Sequence, residues 1–144
     1  MKSLNYLNNI MAKIEAMQAG CDEGIMLNEQ GYVAECTGDN VFILKDDGVI
    51  YTPPISSGAL DGITRRAVME VIKAEGFVCK EEVLTRFDIY TAQECFLTGT
   101  AAEVIPAADY HRRPIGARKP GATTLKLIAP LKKPANSEGT AGPL

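Results

Sequence analysis

Apolar residues that recur at intervals of three and four predict four helices in this chain. The first helix has one apolar face, formed by Leu4, Leu7, Ile10, Met11, Ile14 and Met17. Gly20 follows this helix as a stop signal, and Pro130 should end the last helix because proline cannot continue it. The predicted helices cover residues 4–19, 62–75, 86–92 and 120–129.

Between the helices, short apolar runs bounded by glycine, proline, asparagine and aspartate predict strands. Residues 46–48 read Asp-Asp-Gly, which is typical of a hairpin turn. The predicted strands cover residues 23–27, 32–36, 40–45, 49–52, 77–83 and 94–97, and a hairpin is predicted from residues 104–110 and 113–115. This order of elements predicts a mixed α/β or α+β domain, because it lacks a regular βαβ repeat.

The composition is that of an ordinary globular domain, and its charge argues against two classes of partner. The chain has 144 residues, of which 46% are apolar and 23% charged, with a net charge of −3. We expect no nucleic acid, because no basic stripe is present. We expect no membrane span, because no apolar run approaches the roughly 20 residues that cross a bilayer. One domain is predicted over residues 1–129, with a tail of disordered composition over 130–144.

The cysteines and the histidine give no support for a metal site. Cys21, Cys36, Cys79 and Cys95 are widely spaced, none forms a CxxC pair, and the chain has a single histidine. We therefore predict no bound metal, four free thiols and a reducing cytoplasmic environment.

Residues 60–65, LDGITR, form the first candidate site. A loop of small residues leads into a helix whose first turn carries Gly62, Ile63 and Thr64. Free backbone N–H groups and the helix dipole at such a start favour an anion, and phosphate suits the site. A plain helix start, capped by Asp61 or Thr64, explains the same residues and is common.

Two further stretches are candidates from the residues alone. LTGTAAE, residues 97–103, follows a strand, and its small residues and two hydroxyls suit an oxyanion, although a tight turn explains them as well. Glu35 lies beside Asp39 and Asn40 at a strand end, where a carboxylate either orients a cationic ring nitrogen or is simply solvated. These features name no reaction by themselves.

Several motifs resemble those of branched-chain amino acid aminotransferases, which are class IV, fold-type IV enzymes that use pyridoxal phosphate. KSLNYLNN, residues 2–9, resembles the segment around their Schiff-base lysine, and GYVAECTGDNVF, residues 31–42, resembles the class IV signature. Further motifs match in the same order, namely YTPP at 51–54, GALDGITR at 58–65 and FLTGTAAEVIP at 96–106, with looser matches at 113–116 and 119–121. The resemblance extends from residue 2 to about residue 129.

The resemblance implies roles for the residues around the cofactor ring. Lys2 is expected to form the Schiff base and to move a proton during transfer, because a lysine can act as nucleophile and as base. Tyr6 is expected to hydrogen-bond the phenolic oxygen of the cofactor, and Leu60 to pack on the ring. Glu35 is expected to keep the pyridine nitrogen protonated.

The same resemblance implies where the phosphate and the substrate bind. The phosphate is expected against three residues at a helix start, namely Gly62, Ile63 and Thr64. The hydroxyl of Thr100 is expected to add a further hydrogen bond to the phosphate. The substrate carboxylate is expected against the backbone N–H groups of Thr100, Ala101 and Ala102.

The resemblance also implies a fold, an activity and an assembly. The expected fold is the C-terminal large domain of the fold-type IV aminotransferases, a mixed, barrel-like β core flanked by helices, without the small N-terminal domain. The expected activity transfers an amino group between leucine, isoleucine or valine and 2-oxoglutarate, in a homodimer or larger homo-oligomer. The alternatives are an incomplete domain that needs the N-terminal half, or a sister activity, either D-amino-acid aminotransferase or aminodeoxychorismate lyase.

Overall fold

The computed structural model shows a mixed arrangement of helices and short strands. It describes residues 2–37, 39–59, 62–99, 104–111 and 113–128, with side chains from residue 7 onward. The helices are α1 (Lys2–Gln18), α2 (Ile63–Ala74), α3 (Arg86–Tyr90) and α4 (122–128), with a 3₁₀ turn at Ile55–Ser57. The strands are β1 (Ile25–Leu27), β2 (Val33–Cys36), β3 (Asn40–Leu44), β4 (Ile50–Thr52), β5 (Cys79–Glu81), β6 (Glu94–Thr98), β7 (Val104–Pro106), β8 (Asp109–Tyr110) and β9 (Arg113–Pro114).

A five-stranded sheet with the strand order β5-β4-β3-β6-β7 forms the centre of the domain. β3 pairs antiparallel with β4 and with β6, and β6 pairs antiparallel with β7. β4 and β5 pair parallel, because α2 connects them as a crossover. β1 with β2, and β8 with β9, form two separate antiparallel pairs. The predicted mixed α/β class is confirmed.

Both faces of the central sheet are buried, which explains the nearly continuous apolar runs of β3 and β4. On one face, Val68 and Ile72 of α2 and Leu127 of α4 pack into a cluster with Phe42 and Phe96. The two phenyl rings stack with their centroids 5.2 Å apart. The cluster on the other face contains residues of β2, α3 and the sheet, among them Val33, Val41, Ile43, Ile89 and Cys95.

The predicted elements differ from the observed ones mainly at their ends and in one pairing. The strand predicted over residues 77–83 is shortened to β5, because only three of its residues pair with β4. Residues 104–106 were expected in a hairpin with residues 113–115, but they pair with β6 instead. The hairpin is the shorter pair of β8 and β9, and His111 turns it with a φ of 50°. The predicted tail over residues 130–144 lies outside the described residues.

α1 confirms the predicted helix but leaves most of its apolar face exposed. The side chains on this face are between 39% and 62% exposed at Leu7, Ile10, Met11, Ile14 and Met17. Asn9 anchors the helix, since its Nδ2 donates to the carbonyl of Thr37 at 3.0 Å. Lys13 adds an ion pair with Glu23 at 3.6 Å. The amphipathic spacing therefore predicted the helix correctly, while its packing depends on contacts far along the chain.

Candidate functional site

A cavity of about 500 Å³ lies where α1, the β2–β3 turn, the start of α2 and the end of β6 meet. This volume falls in the usual range of small-molecule sites. The residues that line the cavity are Asn9, Glu35, Cys36, Thr37, Asp39, Asn40, Gly62, Ile63, Thr64, Thr98 and Gly99. The structure thus brings the predicted site residues Glu35, Gly62, Ile63 and Thr64 to one place.

The start of α2 contributes backbone donors to this cavity. Gly62 is the N-cap, has extended dihedrals of φ −87° and ψ 164°, and carries no side chain that could cap the helix. The N–H of Arg66 donates to the carbonyl of Gly62 at 3.2 Å and makes the first hydrogen bond of the helix. The N–H groups of the residues before Arg66 have no acceptor within the helix. No acidic residue lies in this turn. A helix start of this kind favours an anion.

Of the two side-chain caps that the alternative interpretation of residues 60–65 allows, the structure tests only Thr64. The helix begins at Ile63, so the N-cap position falls on Gly62 rather than on Thr64. Asp61, the other candidate cap, lies outside the described residues. Thr64 therefore does not cap the helix, and capping by Asp61 stays a prediction.

Arg65 fixes the first turn of α2 to the sheet. Its side chain is only 3% exposed and forms an ion pair with Glu81 of β5, with Nη2 2.6 Å from Oε1. The same Nη2 donates to the carbonyl of Pro53 at 3.1 Å, just after β4. These contacts hold the helix start at the edge of the cavity.

The β2–β3 turn forms another wall of the cavity, and hydrogen bonds connect it to Glu23, which precedes β1. The N–H of Cys36 donates to the carbonyl of Asp39 at 2.7 Å and closes the turn. The carboxylate of Glu23 accepts a hydrogen bond from the hydroxyl of Thr37 and another from the N–H of Gly24 at 3.0 Å. Burial acts to raise the pKa of Glu23, but these hydrogen bonds outweigh it and hold the pKa below the usual 4.5. Glu23 is therefore charged at neutral pH.

Glu35 and Cys36 are neighbours on β2 and both line the cavity, but their chemistry differs. Glu35 is half-buried and pairs with Met26 across the β1–β2 ladder. Cys36 is 1% exposed, and burial, assisted by nearby negative charge, raises the pKa of its thiol well above the usual range. A neutral thiol is a poor nucleophile, which argues against covalent chemistry at Cys36.

Thr98 carries one of the two hydroxyls that the sequence predicted as suited to an oxyanion, and it lines the cavity. It is the last residue of β6 and is 1% exposed. Its hydroxyl has no hydrogen-bond partner among the described residues. The sequence placed this hydroxyl in the candidate stretch 97–103, but the spacing of residues cannot show whether a hydroxyl has a partner. The sequence did not indicate Asn9 and Thr37, because spacing along the chain does not show which distant residues line one cavity.

The remaining predicted site residues lie partly or wholly outside the description. Lys2 and Tyr6 belong to the beginning of α1, where the structure describes the backbone but not these side chains. The other predicted residues lie outside the described ranges, namely Leu60, Thr100, Ala101 and Ala102. Gly99, which directly precedes three of them, lines the cavity.

The described ranges contain neither a metal cluster nor a membrane-spanning helix. No group of three or more His, Cys, Asp or Glu residues in these ranges could hold a metal ion. None of the helices described above is long and apolar enough to cross a membrane.

Comparison with known proteins gives the cavity a context. The profile of the family "amino-transferase class IV" matches residues 1–110. The chain is 50% identical over 127 residues to a putative branched-chain-amino-acid aminotransferase of Methanocaldococcus jannaschii, covering 88% of this chain and 44% of that protein. It is 47% identical over 122 residues to the branched-chain-amino-acid aminotransferase of Pseudomonas aeruginosa, covering 85% of this chain and 39% of that protein.

A solved structure resembles the fold equally clearly. The T.th. branched-chain amino acid aminotransferase, in complex with N-(5'-phosphopyridoxyl)-L-glutamate, superimposes with a TM-score of 0.84 at 43% identity. The match covers 89% of this chain and 43% of that one. The same protein has been solved with pyridoxamine 5'-phosphate and with 4-methylvaleric acid. The chain therefore spans about two fifths of the length of the proteins it matches.

Proposed function

Because this chain belongs to the class IV aminotransferase family, we propose that it binds pyridoxal phosphate and takes part in transamination of branched-chain amino acids with 2-oxoglutarate. The proposal is carried by one observation: the start of α2 at Gly62, the acid Glu35 and the buried Thr98 line one cavity. The similar proteins are named branched-chain aminotransferases, and one was solved with phosphopyridoxyl and pyridoxamine phosphate ligands. Since the chain spans about two fifths of their length, the complete activity is part of the proposal.

The start of α2 suits the phosphate group of the cofactor. Backbone N–H groups of Ile63, Thr64 and Arg65 lie in the first turn, at the positive end of the helix dipole. Gly62 has no side chain, and a Cβ placed on it would have no atom within 4 Å, so the space beside its backbone is open. A phosphate can therefore approach the backbone closely. By resemblance, the hydroxyl of Thr100 would add a hydrogen bond.

Glu35 suits the ring nitrogen of the cofactor. Glu35 is half-buried and lines the cavity together with the residues at the start of α2. An acid held there favours the protonated pyridine nitrogen, because opposite charges stabilise each other more strongly when partly shielded from water. When bound, pyridoxal phosphate supplies an electron sink that stabilises negative charge at the α-carbon of the substrate. By resemblance, Leu60 would pack on the ring and Tyr6 would hydrogen-bond its phenolic oxygen.

Lys2 would supply the amine that holds the cofactor covalently and would carry the proton at the substrate α-carbon. It is the first residue of α1, roughly 10 Å along the helix axis from Asn9. Asn9, on the same helix, lines the cavity and donates a hydrogen bond to the carbonyl of Thr37, which supports a role for α1 at the site. The substrate carboxylate would lie against the N–H groups of residues 100–102, directly after Gly99.

The first experiment tests cofactor binding and the role of Lys2. Pyridoxal phosphate is added to the folded chain, and a visible absorption band is expected, which borohydride reduction should fix to the peptide that contains Lys2. Lys2→Ala should abolish the fixed label. Lys80→Ala, which removes an exposed lysine on β5, should leave it unchanged. A folded wild-type chain that gives no band, or a label on another lysine, contradicts the proposal.

The second experiment tests the substrate class. Leucine, isoleucine and valine are compared with D-alanine and with aminodeoxychorismate, using 2-oxoglutarate where an acceptor is required. Preference for the branched-chain L-amino acids supports the proposal, and preference for either other substrate supports a sister activity. If turnover appears only when the remaining part of a family member is added as a separate polypeptide, this chain is an incomplete domain of the enzyme.

We further propose a cytoplasmic location and self-association as a homodimer. All four cysteines are free thiols, as expected in a reducing compartment. The exposed apolar face of α1 offers surface for association. Light scattering at several concentrations would measure the assembly, and a mass that stays at one chain contradicts the dimer.

A further inference from the structure

Thr98 occupies an unusual position at the end of a central strand. It is 1% exposed, and its backbone pairs with Asn40 of β3 on one side and Val104 of β7 on the other. It lines the cavity together with Gly62 and Thr64 of the α2 start. The residue is thus held firmly by two strands at the place where we propose that the cofactor phosphate binds.

The hydroxyl of Thr98 differs from those of the other buried threonines. Within the described ranges, the buried threonines are Thr52, Thr98 and Thr124. The hydroxyl of Thr52 donates to the carbonyl of Val41 at 2.8 Å, and that of Thr124 donates to Glu94 at 2.7 Å. The hydroxyl of Thr98 has no such partner in this part of the structure. A buried hydroxyl without a partner costs stability, so its retention requires an explanation.

The cavity supplies that explanation. The start of α2 attracts an anion, and each oxygen of a phosphate can accept several hydrogen bonds. A threonine hydroxyl in the same cavity as this helix start can donate one of them. Valine at the same position would fill the same volume but could donate nothing.

We propose that the hydroxyl of Thr98 is a phosphate-binding group of this site and donates to a phosphate oxygen of the bound ligand. This inference rests on the proposed cofactor site and adds to it a group on β6, opposite the first turn of α2. A threonine with a purely structural role would behave differently when its hydroxyl is removed. Removing the hydroxyl should weaken the binding of phosphate-bearing ligands and, at the same time, should not destabilise the protein without ligand.

The test compares Thr98→Val with Thr52→Val, which removes a buried and partnered threonine hydroxyl from the same sheet. Dissociation constants are measured for inorganic phosphate by calorimetry, and for pyridoxal phosphate and phosphate-free pyridoxal by absorbance. Thr98→Val should weaken phosphate and pyridoxal phosphate binding about tenfold and leave pyridoxal binding unchanged. Thr52→Val should leave all three unchanged. Without ligand, Thr52→Val should lower the melting temperature, whereas Thr98→Val should maintain or raise it.

Thr98→Ser keeps the hydroxyl and should restore phosphate binding. If valine is not accommodated, the pair Thr98→Ala and Thr98→Ser gives the same comparison. The inference is overturned if Thr98→Val binds phosphate as tightly as the wild type, or if it destabilises the ligand-free protein as Thr52→Val does. Those results leave the proposed function intact. A folded wild type that binds neither phosphate nor pyridoxal phosphate overturns the proposed function and this inference together.

Discussion

Removing the negative charge of Glu81 should destabilise the domain, because Glu81 balances the buried charge of Arg65. The two side chains are 2.6 Å apart, Arg65 is 3% exposed and Glu81 is 43% exposed. Breaking a fully buried ion pair costs about 3–5 kcal/mol, whereas an exposed pair contributes about 0.2–1 kcal/mol. With one partner buried and the other two-fifths exposed, we expect Glu81→Gln to lower the free energy of unfolding by about 1–2 kcal/mol.

The measurement is urea unfolding followed by circular dichroism, with Glu82→Gln as the matched control. Glu82 is the exposed neighbour of Glu81, so its substitution removes the same charge and should change the free energy by less than about 0.5 kcal/mol. In an Arg65→Met background, Glu81→Gln should cost almost nothing, because the buried charge is gone. Equal effects of the two glutamine variants, or an unchanged cost of Glu81→Gln without Arg65, would refute this reasoning.

The pair also has a functional consequence. Arg65 lies in the first turn of α2, which we propose as the phosphate site, and its contacts tie that turn to Pro53 and to β5. Loosening the turn should therefore weaken phosphate binding in Glu81→Gln but not in Glu82→Gln. The calorimetric titration with inorganic phosphate described for Thr98 measures this difference, and identical dissociation constants would contradict it.

Three further predictions concern the scaffold. Gly116→Ala should cost about 2–5 kcal/mol, because its φ is +56° and a Cβ would lie 2.0 Å from the carbonyl oxygen of Gln93. Gly76→Ala, at φ +89° with no atom within 4 Å, should cost only about 1–2 kcal/mol, and equal losses in thermal unfolding would contradict the clash. Glu94→Gln should lower the free energy of unfolding by about 1–2 kcal/mol in the same assay. The carboxylate of Glu94 accepts hydrogen bonds from the N–H and the hydroxyl of Thr124 at the start of α4, at 2.8 and 2.7 Å. An unchanged melting temperature would contradict this capping role. The pKa of Glu23 is lowered in the folded state, so the stability that its charge contributes is present above about pH 4.5 and is lost as the pH falls through the folded pKa. Glu23→Gln should therefore be less stable than the wild type at pH 7, and its stability should decline less steeply in acid. Parallel declines of the two proteins would contradict this prediction.

Local elements were predictable because their signals are local. The period of apolar residues places β3 within one residue of its observed end, at Leu44. The Asp-Asp-Gly turn before β4 is confirmed by the positive φ of Gly48, which is 78°. α2 was predicted from Gly62 and begins at Ile63, since the residue before the first helical one is the N-cap. These features depend on residues only a few positions apart.

Pairing between distant segments was not predictable in this way. Residues 104–106 form β7 beside β6, although their sequence suited a hairpin with the following strand equally well. A strand pairs with an edge strand that has free backbone groups in the folded domain, and β6 provides that edge for β7. The exposed apolar face of α1 could not be predicted either. An apolar stripe shows that one face of a helix can be buried, but it does not show which segment packs against that face.

The sequence by itself determined the helix start at Gly62, the acid Glu35 and the motifs that resemble class IV aminotransferases, because residue type and short spacing carry those signals. Only the tertiary structure decided that these two residues, 27 positions apart in the chain, line one cavity. Only the tertiary structure showed that Thr52 has a partner for its hydroxyl while Thr98 has none in the described ranges. Burial and hydrogen-bond partnership are set by contacts between distant strands, and for that reason the pattern of residues along β6 could not reveal them.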